Sequence, residues 1–191
     1  MKFFDSTSLI AQGITEPSLT RQYPFQRIPD QYQESLRKEL WGFSENSAGV
    51  SITFQTNSSQ IRLQWKIKLD FKMNHMANTG IKGLDLYQYK NNNWYYSSTG
   101  IPISKSNDEI LFENKKSKLR KFRLHLPLYD TVTDLKIGIN DDCEFLNSQI
   151  DSKKIVFYGT SITQGGCASR PGLSHTNIIS RKTGYDCINY G

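Results

Sequence analysis

Val50-Ser-Ile-Thr-Phe-Gln-Thr-Asn-Ser-Ser-Gln-Ile-Arg-Leu-Gln-Trp-Lys-Ile-Lys-Leu69 is the stretch whose reading settles the fold class. Val50, Ile52 and Phe54 alternate with Ser51, Thr53 and Gln55. After the polar turn Thr56-Asn-Ser-Ser59, Ile61, Leu63, Trp65, Ile67 and Leu69 alternate with Arg62, Gln64, Lys66 and Lys68. Successive side chains of a strand point to opposite faces. A period of two with apolar residues on one side therefore describes two long antiparallel strands, each with one buried face.

The same pattern continues outward. Leu84-Asp-Leu-Tyr87 and Trp94-Tyr-Tyr96 flank the turn Asn91-Asn-Asn93 as a second hairpin, and Ile110 and Phe112 mark a short strand. Phe122, Leu124, Leu126 and Leu128 alternate with Arg123, His125 and Pro127, and Leu135, Ile137 and Ile139 form the last strand of the set. Such a run of short antiparallel strands predicts a mainly β fold, a jelly-roll-like β-sandwich over residues 1–150. Upstream, residues 1–45 are mixed. Asp30 and Gln33 have capping-box spacing, predicting a short helix through Leu36 and Leu40 that ends before Trp41. Residues 70–83 break the alternation. Loops of that length in a compact domain are often functional, which makes His75 and Met76 candidates for a loop that overhangs a site and selects substrate.

Beyond Asn147 the pattern changes. Lys154-Ile-Val-Phe-Tyr158 is a continuous apolar run, expected to be a strand buried on both faces. A Gly-, Ser- and Thr-rich loop spans 159–172, Leu173 to Thr183 has helical spacing with Gly184 at the C-cap position, and Tyr185 to Tyr190 is a second strand. Residues 151–191 are thus expected to be the first β-α-β unit of a second, α/β domain. Those 41 residues hold too little core to fold alone, so the sequence is expected to be a piece cut soon after that domain begins.

Composition narrows the classes. With 37% hydrophobic and 22% charged residues the chain is neither a disordered tail nor a membrane protein, and no run approaches the length of a membrane span. Met1 to Gly13 lacks the pattern of a signal peptide, so the default expectation is cytoplasmic, or periplasmic or secreted if a signal has been removed. Lys and Arg exceed Asp and Glu by 24 to 18, a charge that weakly attracts polyanions. Lys115, Lys116, Lys118, Arg120, Lys121 and Arg123 crowd into a turn without an RNA-type aromatic motif, so a solvated turn is expected rather than a nucleic-acid surface. Three cysteines, Cys143, Cys167 and Cys187, have no Cys-x-x-Cys or disulfide-dense pattern; they allow at most one bridge, and free buried thiols are expected. His75, His125 and His175 form no pair with ligand spacing, so no metal site is expected. His125 lies at an outward strand position and is expected at the solvated surface.

The chemistry is concentrated in Tyr158-Gly-Thr-Ser-Ile-Thr-Gln-Gly-Gly-Cys-Ala-Ser-Arg-Pro-Gly172. A strand, a glycine-rich turn and a helix form the usual ligand position of an α/β sheet. A Walker A loop needs glycine and lysine where Gln164 and Gly165 stand. The dinucleotide fingerprint needs glycine where Ser161 stands. Ser161 can instead be a nucleophile held clear of the sheet near helical amides, or simply a helix-capping serine.

Gly159-Thr-Ser161 and its continuation closely resemble the first block of SGNH (GDSL-type) hydrolases. Gly83-Leu-Asp-Leu-Tyr87 resembles the Gly-x-Asp-Leu-Tyr motif of the branch with an N-terminal β-sandwich. Asn46-Ser-Ala-Gly49, His75-Met76 and Arg123-Leu-His-Leu-Pro-Leu-Tyr129 also look like that branch, and the likeness extends over roughly residues 20–191. It implies a flavodoxin-like hydrolase domain with Ser161 as nucleophile and oxyanion donor. Gly159, Thr160, Gln164, Gly165 and Gly166 would support the turn. It implies ester hydrolysis without metal or organic cofactor, on small acyl esters and especially acetylated carbohydrates. Thr160 replaces the Asp of the Gly-Asp-Ser pattern. The remaining blocks, including the Asp-x-x-His that supplies the base, are expected beyond Gly191, so His175 is not expected to serve and this chain alone is expected to be inactive. The rival reading is a non-catalytic carbohydrate-binding sandwich. Asp85, Tyr87 and Tyr89 share a strand face that suits either sugar or a domain interface, and the interface is expected.

Overall fold

In the computed structural model, which describes residues 1–148 and 153–191, the elements follow in the order β1 (Lys2–Asp5), β2 (Ala11–Gln12), α1 (Lys38–Ser44), β3 (Ser51–Thr56), β4 (Gln60–Ile67), α2 (Asn78–Lys82), β5 (Leu84–Lys90), β6 (Asn93–Gly100), β7 (Ser106–Glu113), β8 (Arg120–His125), β9 (Val132–Ile139), β10 (Phe145–Asn147), β11 (Lys154–Tyr158), α3 (Ser161–Gln164), α4 (His175–Thr183) and β12 (Asp186–Tyr190). Antiparallel pairing orders β1, β9, β4 and β7 in one sheet and β10, β3, β8, β5 and β6 in the other, with β2 beside β3. The expected boundary at residue 150 lies outside the described residues. No helix among the described residues is long and apolar enough to cross a membrane.

The alternation does what it predicts. Val50, Ile52 and Phe54 of one sheet and Ile61, Leu63, Trp65 and Ile67 of the other meet in one core with Leu84, Leu86, Phe122, Leu124, Leu126, Leu135 and Ile137. Burying each such side chain contributes about 1.5–3 kcal/mol. Several expectations need correction. β4 ends at Ile67 rather than Leu69, because the Asp130 carboxylate accepts from the amides of Leu69 (3.0 Å) and Asp70 (2.9 Å) and draws the chain aside. Asp30 is no helix cap: its carboxylate accepts from the Gln22 amide (3.1 Å) and Gln26 Nε2 (2.9 Å), and residues 30–35 make a 3-10 turn. The helix that follows, α1, runs through Trp41, whose buried indole anchors it. Residues 70–83 are not all loop, since they contain α2. Met76 and Ile81 form a second small core with Ala48, Leu128 and Tyr129. Of the cysteines, all free, only Cys187 is buried; Cys143 is half-buried and Cys167 exposed.

The strands β11 and β12 pair in parallel, from Lys154 opposite Asp186 to Tyr158 opposite Tyr190, and α4 provides the crossover between them. Gly184 takes the left-handed conformation (φ 76°) that ends α4, with its amide donating to Ser180 O at 2.9 Å. The apolar run 154–158 is not buried on both faces. Val156 is 56% and Tyr158 90% exposed, because among the described residues β11 pairs with β12 alone and no layer covers that face.

This unit sits on the outer face of the six-stranded sheet, and a polar network fills the joint. Asp85 is 0% exposed, and its carboxylate accepts from Arg170 Nη1 (2.8 Å), the Gly172 amide (2.8 Å) and Thr99 Oγ1 (2.6 Å). Arg170 Nη1 also donates to the Tyr87 hydroxyl at 2.7 Å, and the Arg181 guanidinium lies 3.9 Å over the Tyr87 ring. Gly172 has no room for a side chain: a Cβ there would run into the Tyr87 ring and come within 2.7 Å of Asp85 Oδ2. Asp85 and Tyr87 are therefore at an interface, as expected, whereas Tyr89 stays exposed outside it, packed on Trp94. His125 is a correction. It is buried rather than solvated, because α4 covers the outer face of β8, and Arg181 Nη1 donates to its Nε2 at 3.0 Å. Burial first, then Arg181, Arg123 and Arg170, hold its pKa well below the usual imidazole value, so the ring is the neutral acceptor. Arg123 likewise leaves the basic turn for this joint, where its Nη1 donates to Ser180 Oγ at 3.2 Å.

Candidate active site

Where β11 ends, Tyr158, Gly159 and Thr160 turn the chain into α3, and Ser161 is the first residue of that helix. Ser161 is exposed. The opening amides of a helix have no intrahelical acceptor, so those of Ser161, Ile162 and Thr163 are available beside the serine hydroxyl. The first helical bond runs from Gln164 N to Thr160 O at 3.0 Å, and Ser161 O accepts from the amides of Gly165 (3.1 Å) and Gly166 (2.7 Å). Gly165 adopts φ 114°, and a Cβ on it would lie 2.9 Å from Leu128 Cδ1. A Cβ on Gly166 would press on Ser161 O at 2.9 Å, and one on Gly159 would strike the Thr163 hydroxyl.

The sandwich holds this turn directly. The Tyr129 hydroxyl donates to Ser161 O at 2.9 Å, and Gln164 Nε2, buried, donates to Leu128 O at 2.8 Å. Arg27, also buried, donates to four backbone carbonyls: Asn46 (3.0 Å), Phe43 (2.6 Å), Asn189 (2.9 Å) and Gly191 (3.0 Å). Burial brings its pKa down to about 10, which leaves it a cation at neutral pH. Asn189 Nδ2 in turn donates to Thr163 O at 2.8 Å, tying β12 to α3.

Beside Ser161 opens a cleft of about 590 Å³. One wall comes from residues 28–43, through Ile28, Pro29, Leu36, Leu40 and Phe43; Tyr129, Tyr158, Tyr190 and Gln164 face it. The structure thus brings Gly159, Thr160, Ser161 and Gln164 together at the cleft, with Gly165 and Gly166 behind the turn. It places the two substrate-loop candidates elsewhere. His75 is exposed, Met76 is buried in the second small core, and neither lines the cleft. His175 is exposed with its ring against Phe157 (5.8 Å), and among the described residues no histidine or carboxylate bonds to the Ser161 hydroxyl. The face that a sugar-binding sandwich would use at Asp85 and Tyr87 is covered by Arg170 and Arg181. Arg27, Tyr129 and the 28–43 wall were not identified from sequence. Tyr129 stands in the stretch 123–129 that carries the family likeness, whereas Arg27 has no local signal.

Comparison with known proteins follows the same division. The family model for the GxDLY N-terminus of SGNH-hydrolase-type esterases matches residues 1–145, and that of the GDSL-like lipase/acylhydrolase family matches residues 152–191. The chain belongs to the SGNH-type esterase family. Among solved structures, a protein described as a GDSL-like lipase from Bacteroides ovatus is 31% identical. The match has a TM-score of 0.92 and covers 100% of this chain and 56% of that one. A salicylyl-acyltransferase from a tetracycline biosynthetic pathway (14% identity, TM-score 0.73, 98% and 54% of the two chains) shares the fold. A family two carbohydrate esterase from Clostridium thermocellum, solved with cellohexaose (12%, 0.50, 74% and 43%), is a looser match. This chain spans about half the length of the structures it resembles. No curated protein sequence matches it significantly. Its membership of a hydrolase family and its mainly β architecture, a sandwich followed by the start of a hydrolase domain, thus rest on both sequence and structure.

Proposed function

We propose that Ser161 is the nucleophile of an esterase acting on small acyl esters, carbohydrate esters among them, through an acyl-serine intermediate. The observation that carries this is an exposed serine at a strand-to-helix turn, first residue of α3 and opening on a substrate-sized cleft. In this mechanism Oγ bonds to the carbonyl carbon, its proton passes through a general base to the departing alcohol, and the carbonyl oxygen develops its negative charge toward amides such as that of Ser161. Water then adds to the acyl-serine, releasing the acid and restoring the hydroxyl. The reaction needs a general base beside Oγ, and none of His75, His125 and His175 lines the cleft. Arg27 and Tyr129 position the turn through their bonds to backbone carbonyls.

The test is labelling of the full-length protein with a fluorophosphonate. Phosphonylation mapped to Ser161 and lost in Ser161→Ala, together with loss of p-nitrophenyl acetate hydrolysis, is the expected result. Glycan binding that persists in Ser161→Ala without any labelling of the wild type would favour a sugar-binding module instead.

A further inference from the structure

Resting on the reading of Ser161 as nucleophile, we infer that the cleft wall formed by residues 28–43 selects esters whose acyl group is a hydrocarbon of about six to ten carbons rather than acetyl. The chemistry of the wall argues for this. Ile28, Pro29, Leu36, Leu40 and Phe43 present hydrocarbon to the cleft, and Leu40 and Phe43 are 45% and 46% exposed there. Exposed apolar side chains gathered in one concavity beside a reactive group mark a binding surface, whereas scattered ones carry no meaning. A cleft of about 590 Å³ falls within the range of ligand sites, and the 28–43 wall supplies its apolar side. With a polyol on the alcohol side of a carbohydrate ester, the hydrocarbon belongs to the acyl side.

The wall is also held in place before substrate arrives. Residues 13–37 contain no regular strand, and side chains supply partners for several of their backbone groups. Arg21 donates to the carbonyls of Thr15, Glu16, Leu19 and Gln26, Asp30 accepts from Gln22 N, and Arg27 ties Phe43 to the end of β12. A fixed wall does not spend binding energy on ordering itself.

The experiment uses the full-length protein, p-nitrophenyl esters from acetate to decanoate, and direct calorimetric binding of octanoate and acetate to Ser161→Ala. Each methylene that enters the cleft is expected to raise kcat/KM and affinity about fourfold, so octanoate, with six more methylenes than acetate, exceeds it by about 60-fold if three enter and about 4,000-fold if all six do. In Leu40→Asp and Phe43→Asp the octanoate-to-acetate ratio of kcat/KM falls about tenfold, and octanoate binding weakens by a similar factor. Both side chains are half-exposed, and unchanged circular dichroism melts confirm that the variants fold. A preference for acetate, a chain-length profile the variants leave intact, or failure of octanoate to bind overturns the inference. Octanoate binding that depends on Leu40 and Phe43, with no turnover of any ester and no labelling of Ser161, supports the cleft assignment and refutes the nucleophile.

Discussion

Replacing Asp85 by alanine tests whether the joint between sandwich and β-α-β unit is energetically real. The side chain is fully buried and accepts three hydrogen bonds, two of them, from Arg170 Nη1 and the Gly172 amide, on the single oxygen Oδ2. In Asp85→Ala the Gly172 amide is left buried without an acceptor, a loss of about 1–3 kcal/mol, and Arg170 loses its counter-charge. Arg170 keeps the Tyr87 hydroxyl and the face of Tyr96 (4.0 Å) as partners, so its share is at the lower end for a broken buried pair. The sum is about 3–5 kcal/mol, or roughly a 10 °C drop in Tm for a chain of this size. Asp85→Asn behaves differently. Its amide oxygen can replace Oδ2, and its NH₂ can donate to Thr99 Oγ1 if the Thr99 hydroxyl reverses toward the Tyr96 hydroxyl 2.9 Å away. Only the charge is then lost, at a cost of about 1–2 kcal/mol. Urea unfolding followed by tryptophan fluorescence, for wild type and both variants, reads the difference. A cost below 1 kcal/mol for alanine, or equal costs for alanine and asparagine, refutes the argument.

Arg27→Met removes donors from four carbonyls at once and is expected to destabilise by about 3 kcal/mol; because those of Asn189 and Gly191 sit at the end of β12, hydrogen exchange of that strand should accelerate more than that of β4. For His125 the folded pKa is depressed, so protons bind the unfolded chain first. Its contribution is fully present above about pH 6.5 and is lost as pH falls toward the folded pKa, by about 1.4 kcal/mol per pH unit. Unfolding free energies measured at pH 7 and pH 5 should show this slope, and in His125→Gln the slope should shrink by that amount.

The sandwich core was legible in the sequence because burial of one sheet face leaves a period of two in the side chains, and Ile61 to Ile67 or Phe122 to Leu126 carry it without interruption. The opposite face was not. Thr53, Asp85, Arg123 and His125 alternate with the core just as solvated residues do, and what they meet comes from far along the chain: Arg170 and Gly172 for Asp85, Ser180 and Arg181 for Arg123 and His125, and Gln12 for Thr53. Only the motif likeness at 83–87 pointed to an interface there. The run 154–158 shows the converse ambiguity, since an apolar strand covered on both faces and one with Val156 and Tyr158 exposed have the same composition. Ser161 was legible because its turn is local, a strand and a helix start within a few residues. The cleft wall was not, because residues 13–37 have no periodicity and their path is set by Arg21 and Arg27 reaching backbone carbonyls, some of them distant in sequence.

The sandwich is part of what defines the serine site rather than a separate module beside it. A serine at a helix start inherits its side-chain direction from the backbone, so whatever fixes the peptide planes around Ser161 fixes the hydroxyl. Its carbonyl accepts from Tyr129, which belongs to the segment leaving β8, as well as from the local amides of Gly165 and Gly166. The end of α3 is tied through Gln164 to Leu128, and the end of β12 through Arg27 to the carbonyls of Phe43 and Asn46, while Asn189 links β12 back to Thr163. Each path runs from the sandwich to the turn through a different residue, so loosening one leaves the others to hold the geometry. Tyr129→Phe removes a single hydrogen bond and should shift the Ser161 peptide by little, whereas separating the two units removes all three tethers together and takes away the cleft wall as well. Residues 1–148 therefore supply both the fixed frame of the Ser161 turn and one side of the cleft beside it.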